Sequence, residues 1–286
     1  MTDIYQCPHF QIFIQTPFRR QPPFNNVSPY HWAKYVIGEE RESLSITPVD
    51  RLQVRQLCKA SNDVLDGYLT AMAWGAQGSG PSGTTNAKLA WSQHKRIEDN
   101  LKQIRDKSLS RMEAFKLFDK KNPIKGLGAS YFTKLLYFFS ATGEGQSPDR
   151  YIMDKWTGMS INLLTGDHVV RMARSKSSKT GVISYSLSTK NNAENYEAFC
   201  VQVDALACQL NQLKLGHDHT GEDIEQMLFS LGAMSSATGR TQREPWRAYV
   251  HANWEAERPP HRYSAKRLVA YQQRAPIPPQ SSMARD

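Results

Sequence analysis

Two stretches of the chain hold residue types that could do chemistry. Lys125-Gly126-Leu127-Gly128 is a tight Gly-x-Gly turn with helical patterning on both sides, which sets its amides at the start of the second helix. Amides in that position, helped by the helix dipole, bind a phosphate without reading any base. A glycine-rich helix cap with no ligand has the same spelling. Beyond it, Tyr151-Ile152-Met153 leads straight into Asp154, an acid that opens Lys155-Trp156-Thr157-Gly158. Asp154 reads as a helix N-cap, a role that leaves its carboxylate able to serve a reaction as well. Other arrangements carry less. His217-Asp218-His219 lacks a third ligand at helical spacing and reads as a solvent-exposed turn, so no metal site is expected. Cys7, Cys58, Cys200 and Cys208 form no CxxC pair or tight cluster, which argues against a structural zinc or a four-cysteine iron–sulfur site. Cys200 and Cys208 read as core thiols on one helix face. Walker and dinucleotide fingerprints are absent.

The elements that must position these groups read as mostly α. Thr47-Pro48-Val49-Asp50 has a cap residue, a proline at the first helical position and an early acid, and apolar residues from Leu52 to Met72 then recur at helical spacing as far as Trp74. Gly75 to Gly83 reads as a loop or a surface of close approach. Helical patterning returns from Ile97 to Phe118, with Lys102, Arg105, Lys107, Arg111, Lys116, Lys120 and Lys121 on what reads as a solvated face. Ile161 to Arg174 reads as helix, and the polar, basic run from Ser175 reads as loop. A long helix carries Tyr196 to Leu210, and a shorter one, starting near Thr220, carries Ile224 to Leu231. Strand alternation is confined to pieces such as Phe10 to Ile14 and Val182 to Leu187. The Pro-punctuated arm before Tyr30 has no assignable role, and the Arg- and Pro-rich tail after Gly239 ends in residues expected to be disordered.

Composition bounds the partner. The 286 residues carry 36 Lys+Arg against 27 Asp+Glu, a formal +9, and 40% are hydrophobic. That is enough for a real core and too much for a disordered chain. The longest apolar candidate, Leu135 to Ser140, is far short of the ~18 residues of a membrane helix, and MTDIYQCPHF has no secretory pattern, so a cytoplasmic protein is expected. The positive excess fits a polyanionic partner.

A Gly-turn-helix followed by such an aspartate resembles the helix-hairpin-helix DNA glycosylase superfamily. Within it, the bacterial proteins described as 8-oxoguanine-glycosylase-like are similar over Gly126-Leu-Gly-Ala-Ser-Tyr-Phe-Thr-Lys-Leu-Leu-Tyr-Phe and Tyr151-Ile-Met-Asp154. Ala73-Trp74-Gly75, the Tyr196 to Leu210 helix and Asp223-Ile-Glu225-x-x-Leu228-Phe229 follow in the same order. The resemblance implies a mainly α, two-lobed helix-hairpin-helix fold with a DNA cleft between lobes. Residues 86–175 would form the hairpin lobe, and residues 1–85 and 176–286 would supply the other lobe and a basic tail. It implies that Asp154 is the catalytic carboxylate, stabilising positive charge on the deoxyribose as the base departs or directing the attacking water. Lys125, Gly126, Gly128, Ser130 and Lys134 would lie on the DNA backbone. Trp74, Trp156 and Tyr151 are the chosen walls for an extruded base, ahead of Trp91 and Tyr131.

The chain departs from the family where strand-cutting members carry a Schiff-base lysine two residues after the second hairpin glycine, since that position is Ser130. A monofunctional, water-using glycosylase without cofactor follows, acting as a monomer on double-stranded DNA that contains a modified base. The base would be a phage-modified one such as glucosylated hydroxymethylcytosine, removed in antiviral defence. The alternatives are repair of oxidised or alkylated host bases and a hairpin protein that binds DNA without chemistry. An RNA-binding role lacks the aromatic strands it needs.

Overall fold

A computed structural model of the chain describes residues 7–15, 27–60, 62–75, 80–140, 149–178, 180–214, 218–230 and 245–256. These residues are mainly helical, with one two-stranded antiparallel sheet. The helices are α1 (Pro8–Phe13), α2 (Pro29–Trp32), α3 (Arg51–Ala60), α4 (Val64–Trp74), α5 (Gly80–Trp91) and α6 (His94–Asp106). They continue as α7 (Arg111–Lys116), α8 (Ala129–Phe138), α9 (Lys155–Thr165), α10 (Ala193–Gln212), α11 (Gly221–Phe229) and α12 (Pro245–Ala256). A π-helical turn, Ala33–Ile37, extends α2, and β1 (Met172–Lys176) pairs with β2 (Ile183–Leu187) between α9 and α10.

Two helices are apolar or small on every side, and the rest of the molecule is arranged around them. In α4 every residue but Asp66 is buried, and α2, α3, α6 and α8 pack on it. In α9 every residue from Thr157 to Thr165 is buried, under α1, α10, α11, α12 and the β-ribbon. A helix with no polar face must be enclosed in this way. The glycines mark where the enclosure is tightest. A Cβ on Gly67 of α4 would come 2.7 Å from Phe139 Cζ and 3.1 Å from Cys58 Cα, so α3 and α4 approach through a missing side chain. Gly158 of α9 makes the same allowance for Val170, whose methyl would be 2.8 Å from a Cβ.

Several boundaries differ from the sequence expectation. α3 starts at Arg51, not at the Thr47-Pro48 signal, because Asp50 and Gln53 close a reciprocal cap: the Gln53 amide donates to Asp50 Oδ1 and the Asp50 amide to Gln53 Oε1, both at 2.8 Å. Ser45 occupies Thr47 instead. The glycine-rich loop is helical from Gly80 onward, while its residues 76–79 lie outside those described. Pro8 at the first helical position turns the anticipated Phe10 to Ile14 strand into α1. The helix expected to run to Arg174 ends at Gly166, which takes φ +65, and the basic run expected as loop is the β-ribbon. Cys208 is exposed, since it sits past the buried stripe that includes Cys200. The anticipated Pro17 to Phe24 arm and the last residues of the tail are not among those described.

Gly67→Ala is expected to destabilise the protein by about 1–3 kcal/mol, the usual cost of overpacking a filled core. The check is a urea titration, in which the midpoint falls while the slope is unchanged.

Candidate active site

Asp154 closes the first turn of α9. Its Oδ1 accepts the amide hydrogens of Trp156 (2.7 Å) and Thr157 (3.0 Å), and the Asp154 amide donates back to Thr157 Oγ1 (2.8 Å). These bonds satisfy the orphan donors of the helix start, whose positive dipole end also favours an ionised carboxylate. Among the described residues, every hydrogen bond to the carboxylate falls on Oδ1. Oδ2 is therefore uncommitted, in a residue that is 9% exposed. The segment before it is pinned to α8, where Thr133 Oγ1 accepts the Met153 amide at 3.2 Å and lies 3.1 Å from the Met153 carbonyl. The hairpin helix and the aspartate are thus one rigid unit.

The turn before α8 is held as firmly. Gly126 takes φ +82, and a Cβ there would lie 2.1 Å from the Asn86 carbonyl oxygen, so both conformation and space require glycine. Gln93 grips the Lys125 backbone on both sides, donating to its carbonyl at 3.2 Å and accepting from its amide at 3.4 Å. Gly128 is exposed, with nothing within 4 Å of where a Cβ would stand, and it caps α8 with no side-chain bond. The first amides of α8 consequently face open space with Lys125, also exposed, beside them. Ser130 is half-buried.

Lys134 is placed differently from an amine that is solvated or laid on a phosphate. It is 7% exposed, its Nζ donates to the Ser130 carbonyl at 2.5 Å and sits 5.1 Å from the Tyr131 ring centroid. Burial lowers its pKa, against the attraction of Asp154 and Glu225. Behind it lies a set of charges to which the sequence reading gave no role. Arg51 of α3 bonds Glu225 of α11, lies 3.4 Å from Glu222 and donates to Tyr137 Oη at 2.9 Å. Arg55 reaches Glu222 at 3.2 Å, and the Tyr137 hydroxyl also donates to Glu222. Burial pushes the Glu225 carboxyl up to about 7, opposed by Arg51, with the charge of Asp154 acting in the same direction as burial. A sequence signal for this set exists: Arg51 and Arg55 are one turn apart on one helix, and Glu222 and Glu225 one turn apart on another.

The aromatic candidates are dispersed. Trp156 is half-buried beside the aspartate, with the Arg247 guanidinium 4.5 Å and Lys155 Nζ 4.8 Å from its ring. Trp74 is buried at the end of α4, edge-on to Phe138. Tyr151 is 3% exposed, and its hydroxyl donates to Asp204 at 2.5 Å, so its ring is a strut between α10 and Gly221 of α11. Trp91 stacks on Tyr68 and donates to Glu39, while Tyr131 is half-buried near Lys134. His219, expected in a solvent-exposed turn, is buried, with its amide held by Asn211 at 2.6 Å; His217 is not among the described residues. The described residues contain no group of three metal-ligating side chains.

A protein-family model described as "OGG: Putative 8-oxoguanine DNA glycosylase OGG-like protein" matches residues 20–229, well over half of the chain. No curated protein and no solved structure matches.

Arg51→Met is expected to cost about 3–5 kcal/mol, because it strands Glu225 in a site with no other partner of comparable strength. Adding Glu225→Leu removes the stranded charge and should recover much of that loss. Chemical denaturation of both variants measures the difference.

Proposed function

The chain belongs to the OGG-like DNA glycosylase family, and from that premise we propose that it is a monofunctional DNA N-glycosylase with Asp154 as its catalytic carboxylate. The observation that carries the proposal is the division of labour within that side chain. Oδ1 is spent on the helix cap, and Oδ2 is left uncommitted beside the hairpin helix. Breaking the bond between base and sugar develops positive charge on the deoxyribose, which a fixed carboxylate in a largely buried site stabilises far better than water does. Water then adds to the sugar carbon, its proton passes to the carboxylate or the departing base, and an abasic site remains. Ser130 offers a hydroxyl where a strand-cutting relative has an amine, which supports the water route.

The duplex would approach the exposed turn at Lys125, Gly126 and Gly128, where the amides of α8 and the charge of Lys125 meet a phosphate. Ser130, at the next turn, would complete that contact. Trp156, half-buried next to Asp154, is our choice for the wall of the base pocket, with Trp74 further in. The substrate we favour is a phage-modified base such as glucosylated hydroxymethylcytosine, removed in defence. Supporting this are Ser130 in place of lysine, the basic ribbon inserted between α9 and α10, and the Arg- and Pro-rich tail. The protein would act as a monomer.

Mass spectrometry of bases freed from ordinary, oxidised, alkylated and phage-modified DNA tests the reading. One modified base should be released, leaving an alkali-labile site and an unbroken strand. Asp154→Asn keeps an oxygen for the cap but loses the charge, so it should fold normally and release base about 10²–10³-fold more slowly. Salt-dependent binding without release from any of these DNAs would instead indicate a silent DNA-binding protein.

A further inference from the structure

Lys134 is a buried amine that the reaction as described does not use. It projects from α8 back along its own helix, and its Cδ and Cε methylenes fill the space beside Gly75, where a Cβ would come within 2.8 and 2.9 Å of them. Gly75 has φ −75, a conformation open to any residue, so glycine is needed there only for room. Gly75 is also the C-cap of α4, and the negative end of that helix dipole favours a cation. On the other side, the neighbouring Thr133 locks α8 to Met153, the residue before Asp154. Two independent contacts therefore fix where the ammonium stands relative to the carboxylate.

The groups that face Lys134 come from every helix packed around it. α9 supplies Asp154 and α11 supplies Glu225, both attractive; α3 supplies Arg51, which is repulsive; α8 supplies the Ser130 carbonyl and the Tyr131 ring. Arg51 is already committed to Glu225 and Glu222. Without the ammonium, Asp154 would stand close to a buried acid with less cationic charge near it, and it would hold a proton to higher pH.

We infer that Lys134 is a positioning residue: its ammonium, seated in the space Gly75 leaves, keeps Asp154 in the ionised form that the reaction needs, and it does not touch DNA phosphate. The inference rests on the glycosylase reading of Asp154. Its chemistry is electrostatic only, with no bond formed by the amine. Because burial lowers its own pKa, Lys134 loses its proton earlier than an exposed lysine as pH rises, so activity should also decline on the alkaline side.

Single-turnover base release across a pH series tests this, using duplex that carries glucosylated hydroxymethylcytosine or, if none is released from it, 8-oxoguanine. In Lys134→Met the acidic limb of the rate should move up by about one to two pH units. Its affinity for unmodified duplex, and the salt dependence of that affinity, should be unchanged. Lys134→Arg, which stays charged throughout, should restore the acidic limb and abolish the alkaline decline. An unmoved acidic limb in folded Lys134→Met overturns the inference. So does weakened duplex binding with a salt slope reduced by about one and an unaltered maximal rate, the mark of a phosphate contact. If Lys134→Met does not fold, an alkaline limb that persists in Lys134→Arg overturns it and its loss supports it. If wild type releases no base at all, the glycosylase reading has failed. A carbon-13 titration of the Asp154 carboxyl in wild type and Lys134→Met then decides the coupling: a higher midpoint in the variant supports it, and an equal one overturns it.

Discussion

A carboxylate that closes the first turn of a fully enclosed helix cannot move unless that helix unwinds. Asp154 is in that position. Its Oδ1 takes two amide hydrogens of α9, and α9 is buried on all sides from Thr157 onward. The cap contributes about 1 kcal/mol by itself. The surrounding packing multiplies its effect, because a rotated side chain would leave two buried amides unsatisfied and disturb every helix that leans on α9. Rigidity of this kind is what a site needs when its task is to present fixed charge to a short-lived cation rather than to adapt to it.

The same enclosure creates an electrostatic problem, which the chain meets with charges of both signs. Glu225 is 1% exposed, Arg51 5% and Lys134 7%, so each would be costly alone. Together with Glu222, Arg55 and Tyr137 they form a bonded set that ties α3, α8 and α11 to one another. Such a set is a poor source of net stability when compared with apolar residues of equal volume. Its directionality is another matter: each partner fixes the distance and angle of the next, and three helices are thereby registered around the aspartate.

Much of this was legible in the residues, and the failures have identifiable causes. The Gly-x-Gly turn, the cap at Asp154 and the helices α10 and α11 were readable because each is specified locally, by turn chemistry, a cap residue or a long period. The start of α3 was misread because Asp50 and Gln53 make a better reciprocal cap than Thr47 and Pro48, and spelling does not rank two adjacent signals. Gly80 to Gly83 was read as loop, yet it lies in α5, where tertiary packing overrides a weak propensity. Lys134 was misplaced for a deeper reason. A lysine one turn into an amphipathic helix normally reaches water, and nothing local announces that Gly75, far away in sequence, has left a space for it. Long-range complementarity of that sort does not show in a single sequence.

The helices at the two ends of the described chain have a bearing on how the molecule is made. His9 of α1 and Tyr249 of α12 are 240 residues apart and hydrogen-bonded at 2.7 Å, and Phe13 stacks edge-on to Trp246 at 5.1 Å. Trp246 also donates to Ser160 of α9. The enclosure of the aspartate's helix is therefore the last contact available to a chain growing on the ribosome, and one of the slowest to form, since its loop is nearly the length of the protein. The basic turn at Lys125 emerges much earlier and can meet nucleic acid before the carboxylate is braced. Synthesis thus separates the two capacities in time: a nascent chain can attract DNA, and only a finished one holds its charge still enough to cut a base away.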